Sequence, residues 1–197
     1  MRHLLPVVLV VVALSAQAQQ YGDYGGTMGV YFSDTEFTDE TANLTTPPIF
    51  FEAYIVLTDA QIANVGAYEL EITLSAPDAL ILQVHGPNGW LNFGDLEDHM
   101  AGYADPVLVD ADGAAVLCTL ECFYPGTDQV DVIMGGSSLE SIPGWDGPVI
   151  LEVPNFEILL VCHLSSGAVG HDDAVAWLNR EVVAAESASW SQVKSLF

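Results

Sequence analysis

The chain has 197 residues, 51% of them hydrophobic, and its 27 acidic and three basic side chains give a formal net charge of −24. The hydrophobic content excludes an intrinsically disordered chain, and the length suffices for one domain with a sizeable core. The scarcity of Lys and Arg excludes nucleic acid as a partner, because phosphate contacts depend on clustered basic side chains.

The chain begins with the pattern of a secretory signal peptide. A short basic start is followed by an apolar run over residues 4–14. Ala16 and Ala18 then supply the small residues that a signal peptidase requires. The apolar run is shorter than the roughly 20 residues of a membrane-spanning helix. The sequence therefore predicts a signal peptide over 1–18, export to the periplasm or the extracellular space, and no membrane insertion after cleavage.

Strand patterns follow along the rest of the chain. Residues 19–48 are predicted to form a short strand, 28–32, and then an acidic, Thr-rich loop. Apolar alternation and β-branched runs predict further strands at 50–58, 68–74, 80–85, 107–109, 114–124, 130–134, 149–153, 156–164 and 174–178. Residues 60–65 are compatible with a single helical turn. Within 68–74, Glu69 and Glu71 are expected to face water.

These strands predict an all-β domain over residues 28–183, because Gly and Pro punctuate the junctions and no interior segment has sustained helical periodicity. The expected architecture is a two-sheet antiparallel β-sandwich of the jelly-roll or cohesin type. Residues 184–197 are predicted to form a tail with a short helix, because Ser189 and Gln192 match a capping box. One helical face would carry Trp190, Val193, Leu196 and Phe197. Such a helix either packs back on the sandwich or acts as a docking or sorting element, and the third alternative is a disordered tail.

Taken together, the strands at 50–58, 68–74 and 114–124 resemble the cohesin-type and carbohydrate-binding-module-like β-sandwiches of secreted bacterial proteins. The closing pattern Trp190-x-x-Val193-Lys194-x-Leu196-Phe197 resembles the tail of an exported bacterial family. The resemblance implies a sandwich fold, a bacterial source and a non-catalytic role. It assigns no functional residue.

The acidic surface has three interpretations that do not exclude one another. A lysine-poor surface suits a high-salt medium, in which cations screen self-repulsion. Some carboxylates could instead bind calcium, the only cofactor that the sequence indicates, or the surface is simply that of a soluble exported protein. The candidate calcium ligands lie in three loops: Asp95, Glu97, Asp98, Asp110, Asp112, Asp172 and Asp173. For Asp110-x-Asp112-Gly113, a hairpin turn is the favoured interpretation.

Export raises the question of a disulfide among Cys118, Cys122 and Cys162. Cys118 and Cys122 lie on one predicted strand, about 13 Å apart at the usual strand rise. A bridge needs Cα atoms within about 7 Å, so these two cannot pair with each other. If a bridge forms, Cys162 must pair with Cys118 or Cys122, and the alternative is three buried free thiols.

Two tryptophans in turns are candidate carbohydrate ligands. Trp90 follows Pro87-Asn88-Gly89, and Trp145 lies in a segment rich in Gly and Pro. Aromatic rings held in rigid turns can stack on sugar rings. Alternatively, each ring caps an end of the sandwich, with its indole N–H bonded to a loop carbonyl.

No nucleophile–base motif of a hydrolase is present in the sequence. We therefore expect a secreted, non-enzymatic β-sandwich with a structural or protein-interaction role at the cell surface or in the extracellular matrix. The alternative is a carbohydrate-binding module that uses Trp90 and Trp145. The expected partner is accordingly a protein or a glycan at the cell surface.

Overall fold

The computed structural model describes residues 22–153, 158–169 and 173–181. The predicted signal peptide, the predicted helix within 184–197 and the candidate ligand Asp172 lie outside these ranges. The described residues are all-β, as the sequence predicted, with twelve strands and one short 3-10 turn at Ser165–Gly167. None of them forms a helix that is long and apolar enough to cross a membrane.

The strands are β1 (Gly22–Tyr31), β2 (Thr41–Ala42), β3 (Ile49–Thr58), β4 (Asn64–Leu74), β5 (Leu80–His85), β6 (Leu91–Asn92), β7 (Asp98–Leu108), β8 (Ala115–Tyr124), β9 (Val130–Gly135), β10 (Val149–Glu152), β11 (Leu159–Leu164) and β12 (Ala174–Leu178). Strands were predicted near all of these except β2, β6 and most of β7. Residues 60–65, which were compatible with a helical turn, do not form one: Val65 is fully buried and pairs with Val107 as part of β4.

All twelve strands belong to one hydrogen-bonded sheet with the order β2-β12-β9-β4-β10-β11-β1-β3-β8-β5, while β7 pairs with β4 and β6. β1 is parallel to β11, and β2 is parallel to β12. The expectation of purely antiparallel pairing is therefore wrong for these two pairs. The alternation of side chains within a strand does not depend on the direction of the neighbouring strand. The sequence pattern therefore could not show that these two pairs are parallel.

Distant parts of this sheet share one hydrophobic core. β3 and β8 contribute Ile55, Leu57, Leu117 and Leu120, whereas β4 and β9 contribute Leu70, Ile72 and Met134. Across this core, the Tyr103 hydroxyl of β7 donates to the Leu117 carbonyl of β8 at 2.8 Å. Burial of these alternating apolar side chains is the main stabilising contribution to the fold.

The turn between β7 and β8 carries the chain from one part of the sheet to another. Asp110 Oδ1 accepts hydrogen bonds from the amides of Asp112 at 2.9 Å and Ala114 at 2.8 Å. Gly113 adopts φ = +80°, which favours glycine. The predicted turn is thus confirmed, but it does not close a paired hairpin: β7 pairs with β4 and β6, and β8 with β3 and β5.

A second, smaller core cluster closes the fold where the described chain ends. It contains Ala79, Tyr124, Val130 and Leu178. Asn179 fixes this end further, because its Nδ2 donates to the Asp128 carbonyl at 3.4 Å and its Oδ1 accepts from the Leu44 amide at 2.7 Å. The last described residues therefore lie beside the ends of β5 and β8.

Candidate binding surfaces

A loop interrupts what would otherwise be one continuous strand beside β4. Gly135 at the end of β9 is paired with Glu71, and Val149 at the start of β10 is paired with Glu69. Glu69 and Glu71 are neighbours on one face of β4, so residues 136–148 form an excursion between two adjacent pairing positions. Compact loops of this kind, whose ends are close, are frequently functional.

Two carboxylates of the sheet hold the 136–148 loop. Asp98 Oδ1 accepts from the Ser137 hydroxyl at 2.6 Å and from the Ser138 amide at 3.3 Å, while the Ser138 hydroxyl donates to Asp98 Oδ2. Glu69 accepts from the Ser141 amide at 3.0 Å and from the Ser141 hydroxyl at 2.5 Å. Hydrogen bonds to charged acceptors are stronger than neutral ones, so the loop is firmly attached to β4 and β7.

Glu69 is consequently buried, with 7% of its surface exposed. The expectation that it faces water is wrong, because the 136–148 loop covers it. Strand alternation correctly placed Glu69 on the face of β4 opposite Tyr68 and Leu70, but alternation alone could not show that a distant loop returns over that face.

An apolar groove of about 280 Å³ runs over this same face of β4, β7 and β10. Its lining includes Ala67, Glu69, Phe93, Met100, Ser141 and Leu151. Phe93 is 74% exposed and stands at the edge of the groove, and Leu91 beside it on β6 is 56% exposed. Glu69 is the acidic residue of this lining. The groove can therefore accept apolar side chains and place one cationic or hydrogen-bonding group near a carboxylate.

The short loop between β6 and β7 presents Phe93. Asn92 Oδ1 accepts from the amides of Gly94 at 3.1 Å and Met100 at 2.9 Å. Asp95 Oδ1 accepts from the amides of Glu97 at 2.9 Å and Asp98 at 2.8 Å, and these bonds lower the pKa of Asp95. The exposed Phe93 ring thus belongs to an ordered loop.

Trp90 is half-buried and starts a polar chain that leads into the core. Its Nε1–H donates to the Tyr68 hydroxyl at 3.2 Å, and that hydroxyl lies 3.3 Å from His99 Nδ1. His99 is fully buried, and its Nε2 lies 3.0 Å from the Leu96 carbonyl. A carbonyl can only accept, so Nε2 carries the proton and Nδ1 accepts from Tyr68. Burial lowers the pKa of His99 and raises that of Tyr68.

Trp145 lies at the other side of the 136–148 loop. The Trp145 amide donates to the Ile142 carbonyl at 3.0 Å, and Gly144 has φ = +78°, which with Pro143 is typical of a type II turn. The Trp145 indole N–H donates to the Pro148 carbonyl at 3.2 Å, as the capping alternative expected.

A cleft of about 400 Å³ brings Trp145 together with Tyr24 and His163. The rings of Tyr24 and His163 are stacked, with centroids 3.6 Å apart. Tyr24 is 50% exposed. Trp90 does not line this cleft.

The candidate calcium ligands have other contacts where they are described. Asp95 and Asp110 bind backbone amides of their own turns, Asp98 binds the 136–148 loop, and Asp173 Oδ2 accepts from the Val169 amide at 2.9 Å. Glu97 and Asp112 are exposed. Among the described residues, no three His, Cys, Asp or Glu side chains are grouped so that they could hold a metal ion.

The three cysteines are buried free thiols. The sequence had left this state open as the alternative to a bridge between Cys162 and either Cys118 or Cys122. Burial raises the pKa of Cys118 and of Cys122 to about 12, and it raises that of Cys162 as well. Cys162 and Leu160 of β11 both belong to the hydrophobic core.

Comparison with known proteins adds no family to this description. A scan against protein-family models gave no match, and neither did a search of curated protein sequences.

Proposed function

We propose that this chain is an exported, non-enzymatic interaction domain that binds a protein partner at the surface of a bacterial cell or in its extracellular matrix. In this proposal the shared core makes the sheet a cohesin-like sandwich whose outer faces are available for recognition. The observation that carries the proposal is the apolar groove over β4, β7 and β10, with the exposed Phe93 at its edge and Glu69 in its lining.

The chemistry of the groove favours a cationic segment with an apolar side chain. Phe93 and Met100 offer apolar contact area, and aromatic side chains are enriched at the centres of protein interfaces. Glu69 retains lone pairs beyond those used by Ser141. The formal net charge of −24 also attracts cationic partners and repels acidic ones.

Ser137, Ser138 and Ser166 have structural contacts, which supports a non-enzymatic role. Ser137 and Ser138 donate to the Asp98 carboxylate. Ser166 donates to Glu40 Oε2 at 2.7 Å and contacts the Val175 carbonyl at 2.9 Å. These hydroxyls tie loops to the sheet.

Panning a phage-displayed library of linear peptides against the purified protein tests this proposal. Enriched peptides should combine Lys or Arg with an aromatic or aliphatic residue. Synthetic copies should bind about tenfold more weakly to Phe93→Ala, because truncation of an aromatic anchor typically costs more than 1 kcal/mol. Leu108→Ala is the matched control, since Leu108 is 73% exposed but does not line the groove. The proposal would be overturned if no peptides were enriched, or if the synthetic peptides bound equally well to Phe93→Ala.

A carbohydrate-binding module is the second candidate function, and the cleft lined by Trp145, Tyr24 and His163 favours it. Aromatic rings around one cleft can stack on the apolar face of a sugar. On a glycan array, saturable binding that is lost in Trp145→Ala would replace the protein-interaction proposal. The Trp90→Ala variant discriminates further, because Trp90 donates to Tyr68 and should affect stability more than sugar binding.

A further inference from the structure

A different exposed surface lies on the outer face of β3, β8 and β5. Phe50 pairs with Phe123, which pairs with Leu80 on its other side, and the two phenyl rings lie 5.0 Å apart. Phe50 is 72% exposed and Leu80 is 47% exposed. Leu82 is 44% exposed at the register shift in β5. We call these four side chains the apolar row.

The next row on the same face is acidic. Glu52 pairs directly with Glu121 across β3 and β8. The Tyr54 hydroxyl donates to Glu52 Oε2 at 2.6 Å, and His85 Nε2 lies 2.8 Å from Glu121 Oε1. Like charges directly opposite each other on neighbouring strands are destabilising. A cation placed between Glu52 and Glu121 would relieve this repulsion.

The negative charge of this face indicates which kind of segment can bind to it. A second copy docked face to face would bring two Glu52–Glu121 pairs together in a molecule whose net charge is already −24, so self-pairing is unfavourable. The sequence contains one lysine, Lys194, which lies next to Val193 and close to Leu196 and Phe197. Residues 182–197 thus carry the combination that the face would bind, a cation flanked by apolar side chains.

The described chain ends near the same end of β5 and β8 as the apolar row, on the core side of these strands. Leu178 packs in one cluster with Ala79 and Tyr124, which are the chain neighbours of Leu80 and Phe123 in the apolar row. Rows on one face of a strand are roughly 7 Å apart. From Glu181, an extended chain can reach roughly 40 Å by Lys194. Residues 182–197 therefore follow a chain end on the core side of β5 and β8, and they are long enough to pass around the ends of these strands and reach both rows.

We propose that residues 182–197 dock on the outer face of β3, β8 and β5 of the same chain. The apolar side chains Trp190, Leu196 and Phe197 cover the apolar row, and the Lys194 ammonium group lies between Glu52 and Glu121. Attachment to the same chain gives the segment an effective concentration of order millimolar, so weak individual contacts suffice. This surface is separate from the groove at Phe93, and the inference does not depend on the proposed function.

Zero-length carbodiimide cross-linking tests the proposal, because the chain has a single lysine side chain. Peptide mapping should find Lys194 joined to Glu52 or Glu121 in a product of monomer mass. The link should disappear in the Glu52→Gln/Glu121→Gln double variant. It should persist in Glu71→Gln/Glu97→Gln, which removes the same charge elsewhere. A Lys194 link to other carboxylates, no link, or links found only in a dimer would overturn the proposal.

A second measurement does not depend on the acidic row. The Trp190→Ala/Leu196→Ala/Phe197→Ala variant should expose the apolar row and raise the fluorescence of the apolar dye ANS at least twofold. Adding Phe50→Ser should remove most of that rise, because Phe50 is the most exposed member of the row. Leu139→Ser serves as the matched control, since Leu139 is 66% exposed outside this face. Unchanged dye fluorescence in the triple variant would contradict docking.

Discussion

Replacing Tyr68 by Phe should destabilise the protein through the loss of one hydroxyl group. This hydroxyl accepts from the Trp90 indole at 3.2 Å and donates to His99 Nδ1 at 3.3 Å. Tyr68 is 3% exposed and His99 is fully buried, so water cannot easily replace the lost partner of the imidazole. The substitution leaves the Trp90 indole N–H without its acceptor and His99 Nδ1 without its donor.

The expected loss in the free energy of unfolding is about 2–3 kcal/mol. An unsatisfied buried acceptor costs about 1–3 kcal/mol, and this applies to His99 Nδ1. Trp90 is half-buried, so its N–H can recover part of its bond with water and contributes about 0.5–1 kcal/mol. Such a loss lowers Tm by about 5–10 °C for a domain of this size.

Urea unfolding followed by circular dichroism measures this loss without relying on tryptophan emission. Tyr103→Phe is the matched control, because Tyr103 makes one hydrogen bond, to the Leu117 carbonyl, and should lose about 1 kcal/mol. Tyr54→Phe, at the exposed bond to Glu52, should change stability by less than about 0.5 kcal/mol. If Tyr68→Phe costs no more than Tyr103→Phe, the Trp90–Tyr68–His99 chain does not have the energetic role assigned to it.

Three further predictions concern pH, thiols and ions. Burial lowers the pKa of His99, so the unfolded state binds a proton at higher pH than the folded state does. The free energy of unfolding should therefore fall as the pH drops below about 6.5, by at most about 1.4 kcal/mol per pH unit. If the free energy of unfolding of His99→Gln has the same slope between pH 7.5 and 5.5, this prediction is wrong. A thiol reagent should label none of the three cysteines in the native protein and all three in urea; fewer than three would reveal a bridge. Tm should rise with NaCl through screening of the net charge of −24. A larger rise with millimolar CaCl2 than with NaCl of equal ionic strength would instead indicate a specific calcium site.

Local patterns predicted much of the strand content because side-chain alternation survives wherever one face of a strand is buried. β5 and β12 match their predicted bounds, and in β4 the buried Tyr68, Leu70 and Ile72 are the residues that alternation selected. The prediction failed along most of β7, whose sequence includes Ala, Gly and Asp residues. β7 is held by pairing with β4, which is a tertiary interaction that a single segment does not reveal.

The candidate surfaces were harder to predict because each depends on contacts between distant residues. Trp90 and Trp145 have similar Gly- and Pro-rich surroundings, yet one donates to Tyr68 in a buried chain and the other lines a cleft. The groove at Phe93 requires Glu69 and Ser141, which lie 72 positions apart. Sequence reasoning could have selected Phe93 as an apolar residue in a turn, but its position beside the groove follows only from the β6–β7 pairing.

The acidity of the chain has a structural consequence beyond its effect on solubility. With one lysine and two arginines, the protein can satisfy few of its carboxylates with cations of its own. Asp98, Glu69, Asp95 and Asp110 instead accept bonds from serine hydroxyls and backbone amides, so loops are shaped by carboxylates without salt bridges. Glu52 and Glu121 differ because they face each other across two neighbouring strands. The same scarcity of cations makes the position of Lys194 informative, because it is the single lysine of the sequence.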